Sequence, residues 1–358
     1  MWPKNKLTDQ LKISYPIIQA PMVGASPPAL VSAVSNAGGL GCLGAALMTP
    51  EQIRNAIHEI RAHTTKPFGV NLFVPEEIAT PSPRVIAHAN KILDPFRNQL
   101  GIAKSPAQKS VSLSFREQLN IVLEEKVPIF SFTFGILPAA MIQELKNHGI
   151  IVMGTATTAR EAKQLEKAGV NFVITQGSEA GGHRGSAPDT TIEQALIGTM
   201  ALVPQLVDQI KIPVIAAGGI MDGRGIVAAL ALGAYGVQMG TAFLTCKESG
   251  ISEPYRESLL HSNDESTCIT KAFTGRYARS IKNQFTSIMA EHQQDILPHP
   301  LQRSLTRDIT LAAAQQKNTD LMTLWSGQAA KLCRPTEAAT FFSALINEVN
   351  TIINHFFD

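Results

Sequence analysis

Eight short apolar runs alternate with helical segments along this 358-residue chain, and they predict an α/β fold. The arrangement expected is a (β/α)8 TIM barrel with an inserted and C-terminal α-rich lid subdomain. Two further observations agree. The runs end in glycines or single polar residues, as barrel strands do where they open onto a site, and the composition is that of a well-buried protein. Hydrophobic residues make up 44% and charged residues 17%, which excludes general disorder. An open doubly wound sheet is the alternative architecture.

The first strand begins in Tyr15-Pro-Ile-Ile-Gln-Ala-Pro-Met22 and ends in a loop holding Pro21 and Met22. Ser26 before Pro27 predicts an N-cap, residues 29–36 a helix, and Gly38 its stop. Residues 39–44 are the second strand. Thr49-Pro-Glu-Gln52 is a capping box, with Ile53, Ala56, Ile57 and Ile60 following at helical spacing. Residues 68–74 are the third strand, and Asn71 is its one polar residue. From about 75 to 125 the rhythm pauses in Thr80-Pro-Ser-Pro83, Lys104-Ser-Pro106 and helical patches, which predicts an insertion.

The rhythm resumes with a fourth strand (127–135), a helix (141–147), a fifth strand (150–154) and a helix capped by Thr158 and Glu161. A sixth strand (171–175) opens into Gln176-Gly-Ser-Glu179-Ala-Gly-Gly182-His183-Arg184-Gly185. A helix over 202–210, a seventh strand (212–220), a helix capped by Asp222 and an eighth strand (236–243) complete the count. Beyond these, residues 253–261, 276–290, 301–317, 321–332 and 336–355 read as helical and 268–273 as strand-like. The domains expected are a barrel over 1–245 with its insertion, a lid over 246–310, and closing helices over 311–358.

Composition excludes several functions. Thirty-one basic and 29 acidic residues leave a net charge of +2 with no block of one sign, unlike a nucleic-acid binder. Cys42, Cys246, Cys268 and Cys333 lie far apart and read as free thiols of a reducing compartment. The nine histidines show no metal-ligand spacing, so no metal is expected. The first residues lack the apolar core of a secretory signal, and no apolar run is long enough to span a membrane. A cytoplasmic monomer or homodimer is expected.

On a closed barrel the strand ends converge on one face. They bring together Pro21, Met22, Asn71, Gln176, Gly181, Gly182, His183, Gly218, Gly219, Gln238, Met239, Gly240 and Thr241. The glycine amides of the last two loops, with the N-terminus of the helix after Asp222, suit a phosphate. Asn71 and Gln176 can each donate and accept, as a heterocycle requires. Together these point to a mononucleotide cofactor, flavin mononucleotide (FMN) first. His183, between glycines at a strand end, is the candidate catalytic residue. Glu179 reads equally as a loop cap.

Six motifs carry a family resemblance: Gln19-Ala-Pro-Met22, Ala37-Gly-Gly-Leu-Gly41, Val70-Asn-Leu-Phe73, Gln176-Gly-Ser-Glu-Ala-Gly-Gly-His-Arg-Gly185, Ala216-Ala-Gly-Gly-Ile220 and Gln238-Met-Gly-Thr241. Together they resemble the nitronate monooxygenases, formerly 2-nitropropane dioxygenases, of the bacterial class I type. The resemblance spans nearly the whole chain, including Leu324-Trp-Ser-Gly-Gln328. It implies an FMN enzyme that oxidises alkyl nitronates, such as propionate 3-nitronate, with O2 to a carbonyl compound and nitrite, without NAD(P)H. It implies FMN at the strand-end residues and His183 beside its reactive face. Where the family favours a tyrosine before Pro-Leu-Gln, this chain has His299. Two rivals share the barrel: an FMN-dependent NAD(P)H reductase of enoyl-acyl-carrier protein or quinone, and a non-catalytic FMN- or phosphate-binding barrel.

Overall fold

The computed structural model describes residues 2, 4–76, 78–103 and 113–355; Lys104-Ser-Pro106 of the insertion lies outside the described residues. The barrel strands are β1 (Ile17–Gln19), β2 (Gly41–Gly44), β3 (Phe68–Phe73), β4 (Ile129–Thr133), β5 (Ile151–Ala156), β6 (Phe172–Gln176), β8 (Val214–Ala217) and β9 (Gly236–Met239). All pair in parallel, in the order β1-β9-β8-β6-β5-β4-β3-β2. β7 (Gly182–His183) belongs to a second, three-stranded sheet with β10 (Thr267–Thr270) and β11 (Ala278–Ile281).

The barrel closes between β1 and β2 through one parallel bridge, Ile18 opposite Leu40. A side chain extends this short seam. The fully buried Gln19 accepts from Cys42 N (3.1 Å) and donates to Cys42 O (3.3 Å), taking the place of a missing rung. A helix unforeseen in the sequence plugs the N-terminal end. Asn5 caps Lys6–Leu11, accepting from Leu7 N and Thr8 N. Leu7, Leu11 and Ile13 then pack with Cys42, Ile129, Met153, Phe172 and Ile215. Burying each of these leucines contributes about 1.5–3 kcal/mol.

The insertion holds the helix Pro83–Gln99, capped by Ser82 with proline at its first position. It does not cover the barrel wall; the following helix, Phe115–Glu124, does that. Ala89, Leu93 and Phe96 instead share one core with Phe273, Phe285, Leu305 and Ile309 of the segment after β9. The buried Arg97 ties the two parts, donating to Asp308 Oδ2 (2.8 Å) and Leu305 O (2.9 Å). Position 310 lies inside the helix Leu301–Gln315, whose Leu305, Ile309, Ala312 and Ala313 belong to that core. The last helix, Ala338–His355, packs on Pro28–Asn36 and Gly223–Ala231 as the barrel's eighth.

Two helical expectations are corrected. Residues 276–290 hold β11 and only then the helix Gln284–Ala290, because β11 is needed between β10 and β7. Residues 321–332 are not helical until the single turn Ala330–Leu332. Trp325 bridges Ser280, and Asn283 Nδ2 donates to Thr319 O and Met322 O, which fixes the chain in extended form. Local periodicity loses in both places to pairing with distant chain. Among the described residues no helix is long and apolar enough to cross a membrane, and no cluster could hold a metal ion.

Candidate active site at the C-terminal face of the barrel

The glycine-rich turn after β6 folds back as β7, and Gln176 braces it. Its Nε2 donates to His183 O (3.0 Å) and its Oε1 accepts from Gly185 N (2.7 Å), so both ends of the amide hold the loop in place. Arg184, almost wholly buried, donates to Gly177 O, Gln176 O and Ala195 O. Glu179 caps the helix Thr199–Gln209, accepting from Thr199 N and Thr199 Oγ1. The adjacent glycines differ in purpose. A Cβ at Gly181 would lie 2.5 Å from Gly327 N, so packing alone demands glycine there. Gly182 has φ +72° and open space where a side chain would stand.

That open space adjoins His183. Its ring lies 5.5 Å from Phe134, 6.3 Å from Phe73, 5.2 Å from Trp325 and 6.3 Å from His299. Nε2 shares a 2.9 Å hydrogen bond with Thr274 Oγ1. Burial, then His299, Arg276 and Arg303, pushes its pKa down to about 3. His299 falls to about 4, from burial and then the same two arginines. Both imidazoles are therefore neutral at pH 7. In the unliganded protein neither ring brings a positive charge to a nitronate. Arg276 pairs with Glu76 (3.1 Å), donates to Ser186 O and lies 4.1 Å over the Phe134 ring. Arg276, Glu76 and His299 also line a cavity of about 440 Å³ beside the site.

Around β8 and β9 the remaining predicted residues gather. Gly218 (φ +114°) and Gly219 (φ +72°) turn the chain in a way only glycine adopts easily. Among the described residues, the amides of Gly218, Gly219, Gly240 and Thr241 donate to no protein group. A Cβ at Gly240 would sit 3.7 Å from Met22 Sδ, which joins this loop to the Pro21–Met22 loop. Met239 O accepts from Ala20 N (2.9 Å) at the same junction. The helix Gly223–Ala231 does not offer its N-terminus to a phosphate. Asp222 accepts from Arg224 N and Gly225 N, and Glu348 accepts from Gly223 N (2.8 Å), so two carboxylates already close that end. Asn71 donates to Ser131 Oγ (2.9 Å), and Gln238 Oε1 is a buried acceptor without a protein donor. Free amides, an orphaned acceptor and positive-φ glycines fit a phosphorylated heterocycle.

Thr274 and Arg276 carry no signal in the sequence, and His299 and Trp325 stand out only within motifs whose place in the site the sequence does not give. Thr274, Arg276, His299 and Trp325 stand 91 or more positions from His183 and reach it only through the second sheet. Trp325-Ser-Gly-Gln328 is noticeable as a motif but not placeable. It covers the glycine loops, with Gly327 N donating to Thr241 Oγ1 (2.9 Å) and Gln328 N to Glu179 O (3.0 Å).

Comparison with known proteins places this chain among the flavin-dependent oxidoreductases. The structure of nitroalkane oxidase from Streptomyces ansochromogenes superposes with a TM-score of 0.90 at 36% identity, covering 98% of this chain and 99% of that one. FabK from Thermotoga maritima superposes at 0.77 with 30% identity, covering 99% and 98%. The chain belongs to the nitronate monooxygenase family, whose profile matches residues 4–348. A probable nitronate monooxygenase of Staphylococcus aureus (strain MSSA476) is 44% identical over 355 residues, 99% of this chain and 100% of that protein.

Proposed function

We propose that the enzyme oxidises alkyl nitronates with O2 at a bound FMN, giving a carbonyl compound and nitrite. The observation that carries this reading is the neutral His183. With a pKa of about 3 it is too weak a base to take an α-proton from a neutral nitroalkane. A nitronate has already lost that proton. The imidazole then serves as a hydrogen-bonding group. The Nε2–Thr274 Oγ1 hydrogen bond orients the ring, and where Nδ1 carries the imidazole's proton it donates to a nitronate oxygen. Phe73, Phe134 and Trp325 around the ring exclude water from the reacting carbon, which strengthens that bond.

The free amides of Gly218, Gly219, Gly240 and Thr241 suit the phosphate of FMN, Asn71 and Gln238 its polar ring edge, and Pro21 and Met22 an apolar wall. An FMN held there would supply a one-electron acceptor for the organic anion, and O2 the oxygen atom of the carbonyl product.

The test compares initial O2 uptake and nitrite release with ethylnitronate and with freshly added neutral nitroethane. The expected rate is far higher with the nitronate. Equal initial rates would refute the reading and make His183 a working base.

A further inference from the structure

We propose that Arg303 is the charge partner of the substrate, binding the planar O–N–O anion through its guanidinium; this rests on the nitronate reading of the site. With His183 and His299 neutral, the histidines supply no positive charge. Arg276 is committed to Glu76, Arg279 to Ser178 O, and Arg184 to three carbonyls. Arg303 differs. It is partly buried, yet its guanidinium has neither a carboxylate nor a carbonyl acceptor among the described residues. It stands in the first turn of Leu301–Gln315, where the helix dipole opposes a cation. Burial, followed by Arg307, lowers its pKa from the ordinary arginine value. A guanidinium that no protein acceptor neutralises is free to take an arriving anion.

Geometry places this charge at the site. Gln302 Nε2 donates to Ala272 O (2.9 Å) and Thr306 Oγ1 to Phe273 O (2.6 Å). The helix start is thus clamped to the two residues before Thr274, the partner of His183. His299, four residues before Arg303 at the same helix start, brings its ring to 6.3 Å from that of His183, so the start of the helix borders the site. A planar O–N–O group matches the guanidinium fork, where two parallel N–H···O bonds add specificity to charge.

The test titrates nitrite, itself a planar O–N–O anion, into the flavin-loaded wild type, Arg303→Met and Arg303→Lys, following the flavin difference spectrum. Thermal unfolding of the same three proteins is measured without nitrite. We expect Arg303→Met to bind nitrite at least tenfold more weakly, Arg303→Lys to fall between, and the Arg303→Met Tm to equal or exceed that of wild type. An unchanged nitrite Kd in Arg303→Met would overturn the proposal, as would a wild type that does not bind nitrite. A Tm lower by several degrees would make Arg303 a structural residue, which also overturns it. Nitrite binding is read without turnover, so the two claims fail separately. A wild type that binds nitrite through Arg303 but leaves nitronates intact would refute the nitronate reading alone.

Discussion

In the proposed reaction His183 is the residue on which the chemistry depends, and its environment makes two predictions. His183→Asn should keep its flavin, because no cofactor-loop amide depends on the ring, and lose about 10²-fold or more in kcat/KM with nitronate. Retained activity would remove His183 from the reaction. The second prediction concerns pH. His183 and His299 titrate at about 3 and about 4 when folded, against 6.5 for a free histidine. The unfolded chain therefore takes up these protons first. The stability held by the neutral rings is complete above about pH 6.5 and is lost as pH falls towards 3. The groups facing the rings are Arg276 and Arg303, which reinforce this direction. Thermal unfolding between pH 7 and 4 should fall less steeply in a His183→Asn, His299→Asn double variant; an equal slope would contradict the burial of neutral rings. His183 was legible in the sequence because its signal is local, a histidine between glycines at the end of an apolar run. Arg303 was not, because an arginine without a partner looks in sequence like any surface arginine.

At the scale of elements, the glycine loops after β8 and β9 were legible and the reason for their shape was only partly so. The Asp222 turn reads in sequence as a helix start ready for a phosphate, but the carboxylates of Asp222 and Glu348 already fill it. Asp222→Ala should therefore cost about 1 kcal/mol of stability, as loss of an N-cap does, and leave flavin affinity unchanged. Flavin lost in step with stability would return the phosphate to that helix. The seam between β1 and β2 is the other case. Gln19→Leu removes both bonds to Cys42 and leaves its buried N–H and C=O unpaired, a cost of about 1–3 kcal/mol visible in urea unfolding. A variant as stable as wild type would show the Ile18–Leu40 bridge sufficient alone. Periodicity identifies all eight barrel strands, since each is an apolar run of adequate length. It misses β7 and β11, because a two-residue strand has no period and Ala278–Ile281 becomes a strand only beside its partners.

The molecule as a whole is a barrel whose catalytic face is built by chain from elsewhere in the sequence. The insertion helix Pro83–Gln99 and the residues after β9 make one body, joined through Arg97, and that body delivers Thr274 and Trp325 to the β6 loop. No single stretch of sequence announces this assembly, because its core joins residues about two hundred positions apart. On the proposed reading, its neutral histidines and unmatched arginine suit an anion that is already formed, a nitronate rather than a neutral nitroalkane. The most direct test is the absorption spectrum of the flavin-loaded protein without oxygen, after mixing with ethylnitronate or with NADH. The account predicts a rapid change in flavin absorption with the nitronate and none with NADH. A change with NADH alone would contradict it and make the protein a reductase.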